Sequence, residues 1–239
     1  MNGGKDKESS RTAKTVRVFV GLKIAPEIAQ QLHQVARSIA HPTDRLVPSE
    51  DLHVTLLPPW DEASVPNAIE RLDSVSRAAG PFTLAFTHLS YWPEPRHPRL
   101  LCAECEATHA IAALQSALSN AFGAREDKPF RPHVTLARMQ RRGRSRLDRS
   151  PDHRPLSFVQ PIRSVELFRS PAGNRNGYEI LASLPLRGPR GTWSKFLGQS
   201  LARVRELLTR LASRAGAANV ARVDFRTGTK DRLSGEDRA

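Results

Sequence analysis

His53-Val54-Thr55-Leu56 and His133-Val134-Thr135-Leu136 are the same tetrapeptide, occurring twice in one chain. In an extended strand successive side chains point to opposite faces. Each copy therefore sets an imidazole and a hydroxyl on one face and an aliphatic pair on the other. The residues around the first copy alternate between strand and helix patterns. Val16, Val18 and Val20 read as a strand. Pro26 suits the first turn of a helix, and Ile28, Leu32, Val35 and Ile39 follow at spacings of 4, 3 and 4. The motif strand, Leu52 to Leu57, is expected to stop at Pro58-Pro59, which cannot continue a ladder. A second helix is predicted from Ser64 to about Ala79, with Val65, Ile69, Leu72 and Val75 on one side. Phe82, Leu84 and Phe86 alternate as in a strand.

The order then recurs. Leu100 to Cys105 is a short apolar run, and Ile111, Leu114, Leu118 and Phe122 form a helical stripe before the strand His133 to Arg138. Two further strands are predicted near Ile162 to Phe168 and Tyr178 to Leu184. Strand, helix and His-Val-Thr-Leu strand thus appear twice, which implies an α+β protein of two similar lobes produced by an old duplication. The ends differ from this body. Residues 1–14 are polar and read as a disordered arm ahead of a domain over 15–187. Residues 188–239 carry 11 Lys/Arg against 5 Asp/Glu, a basic extension. Within it Leu197, Leu201, Val204, Leu208, Leu211 and Ala215 predict an amphipathic helix over about 195–215. That helix has three uses open to it: packing on the body, dimerising, or touching an acidic surface. Arg138 to Arg154 holds seven arginines and reads as a solvated loop.

Composition narrows the function. The 239 residues carry a net charge of +13, which favours polyanionic partners such as RNA. No apolar run approaches the roughly 18 residues of a spanning helix. The first fifteen residues have no apolar core of the kind a secretory signal needs, and two cysteines cannot build a disulfide framework. The expected compartment is the cytoplasm.

A single histidine on a half-buried strand is usually structural. Two identical copies in equivalent places point to chemistry. One neutral imidazole can accept a proton from a nucleophile while a protonated one supplies a proton to a leaving oxygen, and both ordinarily titrate near neutrality. Two hydroxyls and nearby cations can hold the anion between them. The motifs supply no carboxylate cluster for a metal, and the chain has no phosphate-cradling glycine loop, so neither a metal nor another cofactor is expected. Cys102 and Cys105 form a Cys-x-x-Cys at a strand end, where a redox role is not expected and a buried role is.

At these residues the chain resembles the two-histidine (2H) phosphoesterases, and within them the RNA 2′,3′-cyclic phosphodiesterases, also called 2′-5′ RNA ligases. The likeness spans roughly 16–187. It includes Arg17-Val18-Phe19-Val20-Gly21-Leu22, Asp51-Leu52 before the first motif, Phe130-Arg131-Pro132 before the second, and the closing Val165-Glu166-Leu167-Phe168 and Tyr178-Glu179-Ile180-Leu181. The resemblance implies a bilobal fold, each lobe an antiparallel sheet with helices outside, with the active-site cleft between them and one motif per lobe. It implies hydrolysis of RNA 2′,3′-cyclic phosphate ends to 2′-phosphomonoesters, with 2′-5′ ligation as the reverse reaction. By the same likeness His53 is the proton donor to the departing 3′-oxygen, His133 the acceptor that activates water, and Thr55 and Thr135 bind phosphate oxygens. Arg138 is a further phosphate contact if it lies past a bend, since its parity from His133 is wrong for the cleft. Arg131 is a second candidate. Leu57-Pro58-Pro59-Trp60 departs from the family pattern, and Trp60 and Tyr178 are candidates to stack a terminal base. Two other readings stay open: a 2H phosphoesterase for another cyclic phosphate or a 2′-5′ oligonucleotide, and a non-catalytic RNA-binding protein. The oligomeric state is not legible.

Overall fold

A computed structural model describes residues 15–93, 98–124, 128–139, 154–171 and 177–188. The N-terminal arm, most of the arginine-rich stretch after Arg138 and the predicted helix over 195–215 lie outside the described residues. The elements in chain order are β1 (Val16–Lys23), α1 (Pro26–Ile39), β2 (Arg45–Leu46), β3 (His53–Glu62), α2 (Val65–Ala78), β4 (Phe82–Trp92), β5 (Leu100–Cys105), α3 (His109–Phe122), β6 (His133–Arg138), β7 (Val159–Ile162), β8 (Ser164–Arg169) and β9 (Glu179–Pro185).

The strands form one antiparallel sheet in the order β7-β4-β5-β6-β3-β1-β8-β9, with β2 pairing β6. The two similar lobes are its halves. β1-α1-β3 and β5-α3-β6 repeat the strand-helix-strand order, and β8 flanks β1 as β4 flanks β5. The halves meet where β3 lies against β6, and the helices brace that seam from behind. α1, which belongs to the first half, contacts β6, and α3, which belongs to the second, contacts β3. Leu32 of α1, Leu72 of α2 and Leu114 and Leu118 of α3 join Val54, Leu56, Val134 and Leu136 in one buried core.

The local chemistry explains the helix boundaries. Pro26 opens α1 in its first turn, where its missing N–H is no loss. The Ser64 side chain caps α2 by accepting from the Asn67 backbone N–H at 3.4 Å. Gly123 ends α3 at φ 64°, a left-handed conformation suited to glycine.

Two expectations are corrected, and one short strand was not foreseen. β3 does not stop at Pro58-Pro59 but runs on to Glu62, still paired with β1 through Trp60, Asp61 and Glu62. The β1 register slips between Val18 and Gly21, opposite the prolines, and β6 registers with β3 only at Val54–Val134, so no ladder needs the missing N–H groups. The run from Ile162 to Phe168 is two strands, because β7 pairs with β4 at one end of the sheet and β8 with β1 near the other. The two-residue β2 carries no periodicity, so the sequence does not predict it.

Gly21 marks a close approach in the first half. A Cβ there would sit 2.7 Å from the Val54 carbonyl oxygen and 3.4 Å from the Phe168 ring. Gly21→Ala should therefore force β1 and β3 apart and cost about 1–3 kcal/mol. Urea unfolding measures it, and a midpoint equal to that of the parent would refute the tight fit.

Candidate active site

β3 and β6 run antiparallel with Val54 opposite Val134. His53 and Thr55 flank Val54, and His133 and Thr135 flank Val134. The register therefore sets His53 alongside Thr135 and Thr55 alongside His133, all four on the face away from the two valines. Burial follows the same division. Val54, Leu56, Val134 and Leu136 are buried under the helices, while His53, Thr55, His133 and Thr135 are half-buried.

Both imidazoles are oriented by the same local bond. His53 Nδ1 lies 2.7 Å from the Asp51 carbonyl oxygen, and His133 Nδ1 lies 2.8 Å from the Arg131 carbonyl oxygen. A carbonyl only accepts, so Nδ1 carries the hydrogen in each ring. That leaves Nε2 of each to take or give a proton, with no hydrogen-bond partner among the described residues.

A pair of matched bulges shapes the strand ends. On β6, Cys102 faces Thr135 but Leu101 faces Ala137, so Leu136 is an extra residue. On β3, Gly21 faces Thr55 but Val20 faces Leu57, so Leu56 is extra at the equivalent place. Each bulge turns two consecutive residues into the core and reverses the alternation beyond them. Arg138 thereby returns to the face of His133 and Thr135 without leaving the strand; the bend expected from the sequence is this bulge. Its charge reaches His53. Pro58 occupies the equivalent place on β3.

The two histidines have different surroundings. The His53 ring packs against Phe19 (centroids 4.7 Å apart), Phe168 (5.6 Å) and, edge-on, Tyr178 (5.0 Å). Burial in this aromatic pocket lowers its pKa below the ordinary imidazole value, outweighing the bond to the Asp51 carbonyl and the Asp51 charge, which both raise it. His133 and Arg138 add to the lowering. The Asp51 carboxylate is buried and accepts the backbone N–H groups of Gly177 at 2.8 Å and Tyr178 at 3.1 Å, which fixes Tyr178 against His53. Asp51 thus orients the first histidine through its carbonyl and one wall of the pocket through its side chain. In the sequence Asp51 reads only as a motif leader, without a role.

His133 rests on Trp92, with ring centroids 4.3 Å apart. Trp92 Nε1 donates to Glu104 Oε1 at 3.0 Å and Ser90 Oγ at 2.9 Å. Arg131 donates to both Glu104 oxygens at 3.0 and 3.1 Å and covers the Trp92 ring at 4.4 Å. Burial pushes the Glu104 carboxyl up, but hydrogen bonds from Ser90, Trp92 and Arg131 hold it below its ordinary value. The guanidinium of Arg131 is therefore occupied with Glu104 and Trp92. The sequence does not point to Glu104 or Trp92; only the pairing of Glu104 directly across from His133 reveals them. Cys102 lies across from Thr135 and its thiol hydrogen-bonds the Thr135 hydroxyl, while burial pushes its pKa up to about 12 and pushes Cys105 up as well. Both thiols stay protonated.

Among the other candidates, Tyr178 joins the site and Trp60 does not. Trp60 packs on Phe122 at 5.3 Å and donates to Glu62 at 3.0 Å, on the helix-covered side. The second bulge opposite Pro58 and Pro59 turns it there. No group of three or more His, Cys, Asp and Glu residues is placed to hold a metal ion among the described residues.

A fold with one motif strand at the centre of each half, and four matched side chains on its open face, defines a two-histidine phosphoesterase. The sequence profile of the 2′-5′ RNA ligase superfamily matches residues 19–147, and the chain belongs to that family. An RNA 2′,3′-cyclic phosphodiesterase of Geobacillus stearothermophilus is 26% identical over 211 residues, covering 82% of this chain and 66% of that protein. One of the same name from Thermus thermophilus is 28% identical over 159 residues, covering 61% of this chain and 77% of its own. Among solved structures, a Thermus thermophilus protein superposes with a TM-score of 0.61 at 24% identity, covering 73% of this chain and all (100%) of that one. E. coli LigT complexed with phosphate gives 0.56 at 20%, covering 72% of this chain and 98% of its own.

The surroundings of His53 make a direct prediction. Followed by NMR in the ligand-free protein, its imidazole should titrate below the free-histidine value, and lower still in Asp51→Asn, which removes a charge that raises it. A titration at or above the ordinary value would overturn the account of the pocket.

Proposed function

We propose that this protein hydrolyses RNA 2′,3′-cyclic phosphate ends to 2′-phosphomonoesters in the cytoplasm, using its own side chains as acid and base. The observation that carries the reading is the shared face of His53, Thr55, His133 and Thr135, with both Nε2 atoms left to act. The names of the curated relatives supply the substrate class, and the net charge of +13 suits an RNA partner. Among the described residues no helix is long and apolar enough to cross a membrane.

His133 Nε2 takes a proton from water as the water oxygen attacks phosphorus. The bond from phosphorus to the 3′-oxygen breaks, and His53 Nε2 gives its proton to that oxygen. The 2′-ester bond stays intact, so the product is a 2′-phosphomonoester with a free 3′-hydroxyl. Thr55 and Thr135 donate to the non-bridging phosphate oxygens, and Arg138 offsets their charge. The reverse reaction, run with an RNA 5′-hydroxyl in place of water, makes a 2′-5′ linkage. Burial favours the neutral form of His53. A phosphate anion beside the ring favours the imidazolium, so the donor acquires its proton as substrate binds.

His53→Ala and His133→Ala should each lower kcat on an oligonucleotide with a cyclic-phosphate end by about 10²–10⁴-fold. Parental rates in both variants would refute the mechanism. The dependence of kcat/KM on pH should be bell-shaped, and inorganic phosphate should raise the His53 titration midpoint. Turnover should persist after exhaustive treatment with a chelator; loss of activity restored by a divalent cation would contradict the assignment of both proton transfers to histidine.

A further inference from the structure

A cavity of about 440 Å³ opens off the site beside Arg138. Trp92, Leu100 and Met139 give it aromatic and apolar surface, and Arg99 and Arg138 give it two guanidiniums, with no carboxylate among the described residues that line it. Its size suits a nucleotide. Neither guanidinium has a hydrogen bond or ion pair among the described residues, unlike Arg131, which is held by Glu104. The placement of Arg99 is fixed through its backbone: its N–H donates to the Trp92 carbonyl at 2.6 Å, and its carbonyl accepts from the Met139 N–H at 2.8 Å.

The cavity on the opposite, His53 side has another character. It encloses about 530 Å³ and includes Lys23, Arg163 and Glu166. Glu166 is a buried carboxylate that accepts from the Lys23 backbone N–H at 3.1 Å, the Ser164 hydroxyl at 2.5 Å and the Ser183 hydroxyl at 3.0 Å. That lining mixes one buried carboxylate with two cations, whereas the described lining beside Arg138 carries guanidiniums alone.

We propose that the Trp92–Arg99–Leu100–Arg138 cavity binds the nucleotide preceding the cyclic end, with Arg99 on the internucleotide phosphodiester and the apolar floor beneath sugar and base. This rests on the reading of the site as one for RNA ends. It makes the protein discriminate an RNA terminus from a cyclic mononucleotide, with Arg99 as the specificity-determining residue.

Calorimetric titration with two product-like ligands tests the subsite without requiring turnover: a dinucleotide ending in a 2′-phosphate, and a nucleoside 2′-monophosphate. The parent should bind the dinucleotide at least about tenfold more tightly, the worth of one charge-assisted contact. Arg99→Ala should abolish that preference while the mononucleotide binds as before, and Arg99→Lys should retain most of it. The slope of log affinity against log salt for the dinucleotide should fall by about 0.7 in Arg99→Ala, one phosphate contact on a single strand. Arg163→Ala, in the other cavity, should leave the preference in place. Equal parental affinity for the two ligands, or a loss in Arg99→Ala that is the same for both, would overturn the subsite. Subsite and hydrolase fail by different results. A protein that binds the dinucleotide through Arg99 but cleaves neither cyclic substrate keeps the subsite and loses the hydrolase; one that cleaves a cyclic mononucleotide and a cyclic-ended dinucleotide with equal kcat/KM keeps the hydrolase and loses the subsite.

Discussion

The seam between β3 and β6 carries the design. Registered at Val54 and Val134, it converts two distant tetrapeptides into one polar face. Everything needed for that conversion follows from the two-residue period of a strand: valines inward, imidazole and hydroxyl outward, twice, around an approximate two-fold axis. A ladder this short is weak by itself. Its support comes from behind, where the helix of each half contacts the motif strand of the other. The core therefore does more than bury apolar surface: it holds the relative position of the two histidines.

The two imidazoles share one orienting bond yet differ in environment, and the difference comes from the neighbouring strands. β1 and β8 bring Phe19 and Phe168 to His53, while β4 and β5 bring Trp92 and Glu104 to His133. Aromatic burial on one side disfavours charge. On the other, an anion-anchored indole fixed by Arg131 supports a more open ring. A symmetric backbone thus holds two imidazoles in unlike surroundings, which suits the distinct proton-donor and proton-acceptor roles proposed for them.

Much of this was legible in the chain. The doubled motif announced the site, and periodicity placed α1, α2 and α3 to within a residue or two, because each buries an apolar stripe. What escaped depends on register. The consecutive apolar pairs Leu56-Leu57 and Leu136-Ala137 interrupt the alternation and are the bulges, but only cross-strand pairing shows it. Without the β6 bulge the parity of Arg138 comes out reversed, whereas on β3 two slips cancel and Trp60 returns to the side of Val54. The continuation of β3 through two prolines was hidden for the same reason: whether a missing N–H matters depends on what lies opposite. Trp92, Glu104 and Asp51 reach the histidines through side-chain contacts between separate segments, which no local pattern encodes.

The matched bulges carry one more implication. They place position 58 and position 138 at corresponding ends of the face, and the chain has filled one with an imide ring and the other with a guanidinium. A strand of RNA that met a true dyad could lie along it either way round. Here the dyad is broken at this pair, as it is around the two rings, so for the proposed substrate the two directions are not equivalent.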